Sequence, residues 1–246
     1  MTNTNPIIEI KNLKKSYGSN CVLNDFNMIL NEGENLVIMG KSGSGKSVMI
    51  KCLIGLEEAD SGTITIMGQE ISKLTQEKLD ELRTEVGFLF QGSALYDSMT
   101  VRENLEFPLR RHTKKFGYIK NTSPLVMEAL NNVGLGHTID LMPEELSGGM
   151  KRRVALARTL ILQPKIILYD EPTTGLDPIT AKEILLLMKS IQEKYNTSAI
   201  IITHDVDCAR VISNRMILLV DGINYAEGTF EELSESSDTK IQAFFK

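Results

Sequence analysis

A glycine-rich segment, Gly40-Lys41-Ser42-Gly43-Ser44-Gly45-Lys46-Ser47, fits the pattern G-x-x-x-x-G-K-[ST]. Glycines allow such a loop to curl so that consecutive backbone N–H groups point at phosphate oxygens. An apolar run precedes the loop and a helical pattern follows it, so the helix dipole adds to the attraction for an anion. The segment predicts a nucleoside triphosphate site, with Lys46 directed at the β- and γ-phosphates and the Ser47 hydroxyl at Mg²⁺.

A second candidate site lies where the apolar run Ile166-Ile167-Leu168-Tyr169 ends in two carboxylates, Asp170 and Glu171. Acids at the end of a buried strand are costly unless a cation or a proton transfer uses them. Asp170 suits the Mg²⁺ shell, and Glu171 is the candidate base for an attacking water. A pair of helix-capping acids is the alternative interpretation.

The run Leu146-Ser147-Gly148-Gly149-Met150 precedes a strongly helical pattern. Ser147 is a candidate N-cap, and the two glycines expose backbone N–H groups, so a helix terminus is offered to an anion. Taken alone, an ordinary helix cap accounts for the run better than a ligand site does.

The composition of the chain limits the class of protein that can carry these sites. The chain has 246 residues, 42% hydrophobic and 24% charged, and a formal net charge of −5. This is typical of a soluble globular chain, and the acidic balance disfavours a nucleic-acid partner. Three scattered cysteines exclude a disulfide framework and predict a reducing compartment. Since no apolar run approaches the ~18 residues of a membrane span, we expect membrane contact only through a partner.

The elements that must position these residues alternate between strand and helix. Helical spacing occurs in Lys46–Leu56, Lys151–Leu162 and Ala181–Tyr195, and the alternation predicts an α/β fold with a mostly parallel sheet. The early part carries turn signals of an antiparallel sheet, and residues 92–162 form a helical insertion. The predicted strands are Ile7–Ile10, Asn35–Met39, Gly62–Ile66, Val86–Phe90, Ile166–Tyr169, Ala199–Ile202 and Met216–Val220.

Six motifs in a familiar order resemble the ATPase subunit of ABC transporters, from Ile8 to about Thr229. They are the phosphate loop, Gln91 after a strand, Leu146–Gly149, Asp170-Glu171, Gly175-Leu176-Asp177 and Thr203-His204-Asp205. The resemblance implies one ABC ATPase domain over 1–246, with ATP and Mg²⁺ as cofactors. It implies a P-loop NTPase (RecA-like) core with an N-terminal antiparallel β part (1–91 and 163–230), an inserted α-helical subdomain (92–162) and a tail (231–246).

The resemblance also implies roles for single residues. Tyr17 lies where the family stacks an aromatic ring on adenine, although a tyrosine packed at a turn is the alternative. Gln91 is implied to contact Mg²⁺ and the attacking water, and His204 the γ-phosphate. With Lys46 and Glu171, these two are the candidate catalytic residues. The implied ATP-binding loop comprises Gly40, Lys41, Ser42, Gly43, Ser44, Gly45, Lys46, Ser47 and Val48, and the implied Mg²⁺ ligands are Ser47, Gln91 and Asp170.

Other implied contacts lie across a dimer. Ser147, Gly148 and Gly149 match the signature that caps the γ-phosphate held by the opposite subunit, and Asp177 matches a loop crossing the same interface. The expected unit is therefore a dimer of two copies with two sandwiched ATP molecules. Met150 departs from the usual Gln or Glu, and Val48 from the commoner Thr.

The stretches 90–104 and 107–110 resemble the branch that serves bacterial lipid transport of the maintenance-of-lipid-asymmetry type. That branch implies integral membrane permease subunits, a lipid-binding periplasmic protein and a place on the cytoplasmic face of the inner membrane. The alternatives are lipoprotein release, amino-acid or metal import, export, and a soluble ABC ATPase acting on nucleic acid or ribosomes. A plain P-loop kinase gives no reason for Leu146–Gly149.

Overall fold

Two sheets organise the computed structural model, which describes residues 6–112, 119 and 121–246. The first sheet is antiparallel and has the order β2 (Asn20–Asn31), β1 (Pro6–Tyr17), β4 (Ser61–Ile66), β5 (Gln69–Glu70). The second has the order β10 (Ile223–Gly228), β9 (Arg215–Val220), β3 (Asn35–Met39), β8 (Ser198–Thr203), β7 (Ile166–Asp170), β6 (Val86–Leu89). Its pairs are parallel except for β9 with β10.

The parallel strands are apolar on both faces because both faces are covered. Alternate residues of β3, such as Val37 and Met39, belong to a core shared with the helices on one face. The residues between them, such as Leu36 and Ile38, belong to a second core that includes the antiparallel sheet. The sheet therefore separates two cores, and the ends of its strands are left to carry polar groups.

The helices follow the strand ends. They are α1 (Lys46–Leu53), α2 (Gln76–Arg83), α3 (Val101–Arg111), α4 (Ser123–Asn132), α5 (Gly148–Leu160), α6 (Pro178–Tyr195), α7 (Val206–Ile212), α8 (Phe230–Ser234) and α9 (Thr239–Gln242). Among the described residues between β6 and β7 the regular elements are helical, including short 3-10 turns at Gly136–Thr138 and Pro143–Glu145. Basic residues 114, 115 and 120 of the predicted helical insertion lie outside the described residues.

Several predicted boundaries differ from the structure. Helix α1 ends at Leu53 rather than Leu56, because the chain turns at Gly55 with φ +67°. Strand β1 continues beyond the predicted Ile10 to Tyr17, and it pairs with β2, a strand that was not predicted. Strand β2 alternates buried Phe26, Met28 and Leu30 with exposed Asn27 and Ile29, and Asp25 at φ +60° interrupts the period. The edge strands β5 and β10 were also not predicted.

The apolar tail docks on its own subunit. Ile241 is 8% exposed and belongs to the larger core. Phe245 meets Phe230 edge-to-face, with 5.5 Å between ring centroids. The Tyr225 hydroxyl donates to Asp238 at 2.8 Å, which fixes the start of α9. Within the part of the chain that the structure describes, no helix is long and apolar enough to cross a membrane.

Candidate functional site

A cleft of about 630 Å³ opens where the parallel strands end. Strand pairing places Met39 beside Thr203 and Asp170 beside Ile202, so the segments that follow β3, β7 and β8 meet at one edge. The cleft is lined by Tyr17, Val22, Ser42, Gly43, Gly45, Lys46, Ser47, Val48, Gln91, Asp170, Glu171 and His204.

Lys46 is held inside the glycine-rich loop at the start of α1. Its ammonium donates to the carbonyl oxygens of Gly40 at 2.7 Å and Lys41 at 3.0 Å, and the residue is only 8% exposed. Burial lowers the pKa of this ammonium, and the carboxylates of Glu171 and Asp170 partly offset that effect. The cation is therefore pre-positioned, and an incoming anion replaces carbonyl partners with a stronger one.

The loop itself requires glycine at particular places. Gly43 and Gly45 have φ values of +79° and +102°, a conformation that side chains disfavour. A Cβ built on Gly45 lies 2.9 Å from the carbonyl oxygen of Val22. The Ser44 hydroxyl is buried with no hydrogen-bond partner among the described residues. The loop thus keeps an unsatisfied polar atom beside the cleft.

The two carboxylates have different environments. Burial raises the pKa of Asp170, the charge of Glu171 raises it further, and Lys46 lowers it. Glu171 has φ +50°, and its backbone N–H donates to Ile202 O at 2.9 Å. Its Oε1 lies 2.8 Å from His204 Nδ1, and its Oε2 accepts from the Thr174 hydroxyl at 3.2 Å. His204 reaches this carboxylate from a side chain that is 66% exposed.

Gln91 enters the cleft from the segment after β6, and α5 holds that segment by its backbone. Arg152 Nη1 donates to Phe90 O at 2.7 Å. Arg158 donates to Ser93 O at 3.1 Å and to Ala94 O at 2.8 Å. Ser93 and Ala94 both have positive φ, 62° and 47° respectively. Sequence reasoning missed these arginine contacts, since no spacing rule pairs an arginine with a distant carbonyl.

The structure leaves four predicted site residues outside the cleft of their own chain. Ser147 is exposed and caps α5, accepting from Met150 N at 3.2 Å, and Gly148 and Gly149 form the first turn. Asp177 caps α6 by accepting from the backbone N–H groups of Ile179 and Thr180. These groups face solvent in a single chain.

Three residues of the loop lie beside the cleft rather than in its lining. Gly40 contributes the carbonyl that Lys46 contacts, and a Cβ there lies 2.9 Å from Leu219 O. Lys41 and Ser44 line a neighbouring cavity of about 610 Å³, which the tail residues Lys240 and Phe244 also border. The remaining predicted residues converge on the cleft.

The residues present fit a triphosphate and a hard divalent cation. Phosphate oxygens require N–H donors and a cation, which the loop and Lys46 offer. A hard cation requires oxygen ligands, and the Ser47 hydroxyl, the Gln91 amide and the Asp170 carboxylate line the same cleft. A bound cation would also relieve the repulsion between Asp170 and Glu171. Tyr17, 46% exposed at the end of β1, offers a ring to a base at the mouth.

Comparisons with known proteins agree with this geometry. A family model described as ABC transporter matches residues 23–174. The methionine import ATP-binding protein MetN of Campylobacter jejuni is 38% identical over 97% of this chain and 75% of its own length. The intermembrane phospholipid transport system ATP-binding protein MlaF of Haemophilus influenzae is 38% identical over 98% and 90%.

Another relative and a solved structure extend the comparison. The probable ribonucleotide transport ATP-binding protein mkl of Mycobacterium leprae is 40% identical over 96% of this chain and 68% of its own length. The dimeric ATP-binding cassette MJ0796, bound to ADP and Pi, superposes with a TM-score of 0.81 and 33% identity. That superposition covers 91% of this chain and 98% of the cassette.

Proposed function

Because the chain belongs to the ABC transporter family, as an ATP-hydrolysing subunit that uses ATP and Mg²⁺, we propose that its transporter moves phospholipid between membranes. The observation that carries the proposal is the similarity to the phospholipid transport protein of Haemophilus influenzae, at 38% identity over 98% of the chain. The segment that follows Gln91 resembles the same branch and forms a distinctive surface.

That surface is a groove of about 420 Å³ between the segment after β6, α3 and α5. Phe90 is 47% exposed, Tyr96 43% and Phe107 36%, and the last two rings lie 4.9 Å apart. Exposed aromatic rings around a groove suit an amphipathic helix as occupant. We assign the groove to a short cytoplasmic helix of the permease, next to the glutamine that faces the nucleotide.

The cleft supports a division of labour in hydrolysis. Lys46 donates to the β- and γ-phosphates, and Ser47, Gln91 and Asp170 hold the metal. Glu171 orients the water and takes its proton, while His204, which lies beside that carboxylate, donates to the γ-phosphate. Bound Mg²⁺ neutralises charge on the phosphates. The adenine stacks on Tyr17.

A second copy completes the site. In a single chain the cleft is open to solvent at His204. The N-terminus of α5 at Ser147 is also exposed, outside the cleft of its own chain. A helix N-terminus with free N–H groups attracts the γ-phosphate that a facing subunit presents. We place Ser147, Gly148 and Gly149 on the partner's ATP, with Asp177 at the same interface. The dimeric form of the MJ0796 cassette supports this arrangement.

The proposed subdomains follow from the same scheme. We assign residues 92–162 to the helical subdomain, which carries Ser147 and lines the groove together with Phe88 and Phe90 of the core. We assign residues 1–91 and 163–230 to the core, which carries the cleft. Residues 231–246 form a tail on that core. When the dimer closes, the groove moves together with the signature residues Ser147, Gly148 and Gly149. The permease helix bound in the groove then moves with it, at the cytoplasmic face of the membrane.

The substrate is tested by purifying the tagged protein with its membrane partners and reconstituting the complex in liposomes that contain fluorescent phospholipid. We expect co-purified lipid, a permease with a periplasmic lipid-binding partner, and lipid transfer that stops in Glu171→Gln. A permease that releases lipoproteins or imports amino acids would overturn the lipid assignment. For the groove, Tyr96→Ser should abolish stimulation by the permease and keep basal hydrolysis. Leu186→Ser, at a 52% exposed position outside the groove, is the control.

Amino-acid import is the second candidate, because the methionine import protein of Campylobacter jejuni has the same identity to this chain. The two candidates predict different ligands for the same purified complex. Methionine uptake into liposomes without lipid transfer would favour import, and lipid transfer unaffected by methionine would favour the first proposal.

A further inference from the structure

Arg152 connects three parts of the proposed machinery. It lies one turn into α5, five residues after Ser147, and is only 4% exposed. Its Nη1 donates to Phe90 O at 2.7 Å, and its Nη2 reaches Thr174 O at 3.4 Å. Phe90 directly precedes Gln91, and Thr174 lies three residues after Glu171.

A guanidinium is well suited to hold two carbonyls at a fixed separation. Its donors form a rigid planar fork, whereas a lysine ammonium acts as a single point. The two carbonyls belong to segments that leave neighbouring strands, since Leu89 of β6 pairs with Tyr169 of β7. Holding both segments therefore sets the distance between a metal ligand and the base.

Burying this cation has a cost. Desolvation lowers the pKa of Arg152. In the described part of the chain its hydrogen-bond partners are two neutral carbonyl oxygens, which compensate a charge less well than a carboxylate does. An apolar residue would fill this place at lower cost if packing were its only purpose. The position thus points to a geometric purpose.

We propose that Arg152 is a positioning residue for ATP hydrolysis, which fixes Gln91 relative to Glu171 and ties both to the signature terminus at Ser147. The inference rests on the proposed roles of those three residues. It assigns Arg152 no contact with ATP. Loss of the fork should consequently slow hydrolysis while nucleotide binding to a single chain is unchanged.

Neighbouring Arg153 supplies a matched control. It lies on the same turn of α5, but its guanidinium turns to α6 and forms an ion pair with Glu183 at 2.7 Å. The substitutions Arg152→Lys and Arg153→Lys are therefore chemically identical, and the two positions differ in what the fork holds and in how deeply the side chain is buried. Arg152→Gln, which keeps two N–H donors without charge, guards against a lysine that fails to fold.

The experiment measures kcat, KM, nucleotide affinity and melting temperature for each variant of the purified protein. We expect kcat to fall about tenfold or more in Arg152→Lys, because small displacements of catalytic groups have such effects. Affinity and melting temperature should match those of Arg153→Lys, and Arg152→Gln should recover part of the rate. An unchanged kcat in a folded Arg152→Lys protein would overturn the proposal.

A double-mutant cycle tests the route through Gln91. If Arg152 acts by placing that side chain, Arg152→Lys should add less than twofold to the defect of Gln91→Ala. Fully multiplied defects would overturn the route. The proposed function fails separately: a fully active Gln91→Ala single variant removes the role of Gln91 itself, whatever Arg152 does.

Discussion

Replacing Glu171 with glutamine separates the chemistry of this side chain from its structural contacts. The carboxylate makes two contacts, to His204 Nδ1 at 2.8 Å and from the Thr174 hydroxyl at 3.2 Å. A glutamine amide keeps both, because its oxygen accepts from one partner and its NH₂ donates to the other. The positive φ of residue 171 costs the two side chains equally.

The stability of the variant should therefore stay within about 0.5 kcal/mol of the parent protein. ATP and Mg²⁺ should still bind, while hydrolysis falls roughly 10²-fold or more, the range for loss of general-base assistance. Closed dimers should accumulate, since the bound ATP that holds them together persists.

The assay is phosphate release under saturating MgATP, with nucleotide binding by calorimetry and dimer formation by light scattering. Glu183→Gln is the matched control, because it makes the same change at a carboxylate 54% exposed and remote from the cleft. Its hydrolysis should be unchanged. A folded, ATP-binding Glu171→Gln protein with more than a third of parental activity would refute the assignment of the base.

Four further predictions concern the same cleft. Lys46→Ala should abolish hydrolysis and weaken ATP binding, measured by calorimetry. Tyr17→Ala should weaken ATP binding about tenfold while Tyr17→Phe binds normally. The fold raises the pKa of Asp170, so the protein loses folding stability as the pH rises through that raised pKa and the carboxyl ionises. Asp170→Asn cannot ionise, so without Mg²⁺ it should resist urea better than the parent protein at neutral pH. Below the ordinary pKa of a carboxyl group the two proteins should resist urea equally well. Mixed dimers of Lys46→Ala with Ser147→Arg should recover hydrolysis that both homodimers lack, provided one intact site suffices.

The sequence was sufficient for the cleft because its residues follow strand ends that parallel pairing brings together. Asp170 and His204 come within two residues of a predicted strand and Lys46 within seven, and parallel pairing of those strands brings all three to one edge of the sheet. The hydrogen-bond partners of these side chains could not be predicted from the sequence. The contact between Glu171 and His204, for example, involves a positive φ at Glu171, which is not a glycine.

The edges of the fold were less predictable for a different reason. Strand β1 shifts register against β2 at four places, and each shift breaks the alternation that a sequence pattern would detect. Gln91 was predicted as a site residue, but its surroundings were not. The left-handed pair Ser93 and Ala94 carries no sequence signal, because their conformation is maintained by Arg158 from a segment far along the chain.

Helix α5 connects the proposed dimer contact to the groove. Its N-cap is Ser147, the residue proposed to meet the facing subunit. Its later turns hold the segment around Gln91 through Arg152, Arg158 and Thr159, whose hydroxyl donates to Phe88 O at 3.2 Å. All three side chains bond to main-chain carbonyls, so the segment cannot shift relative to the helix without breaking several hydrogen bonds. A force on the α5 terminus is therefore delivered to the groove that begins at Phe90. ATP bound by one subunit would in this way set the position of the groove on the other.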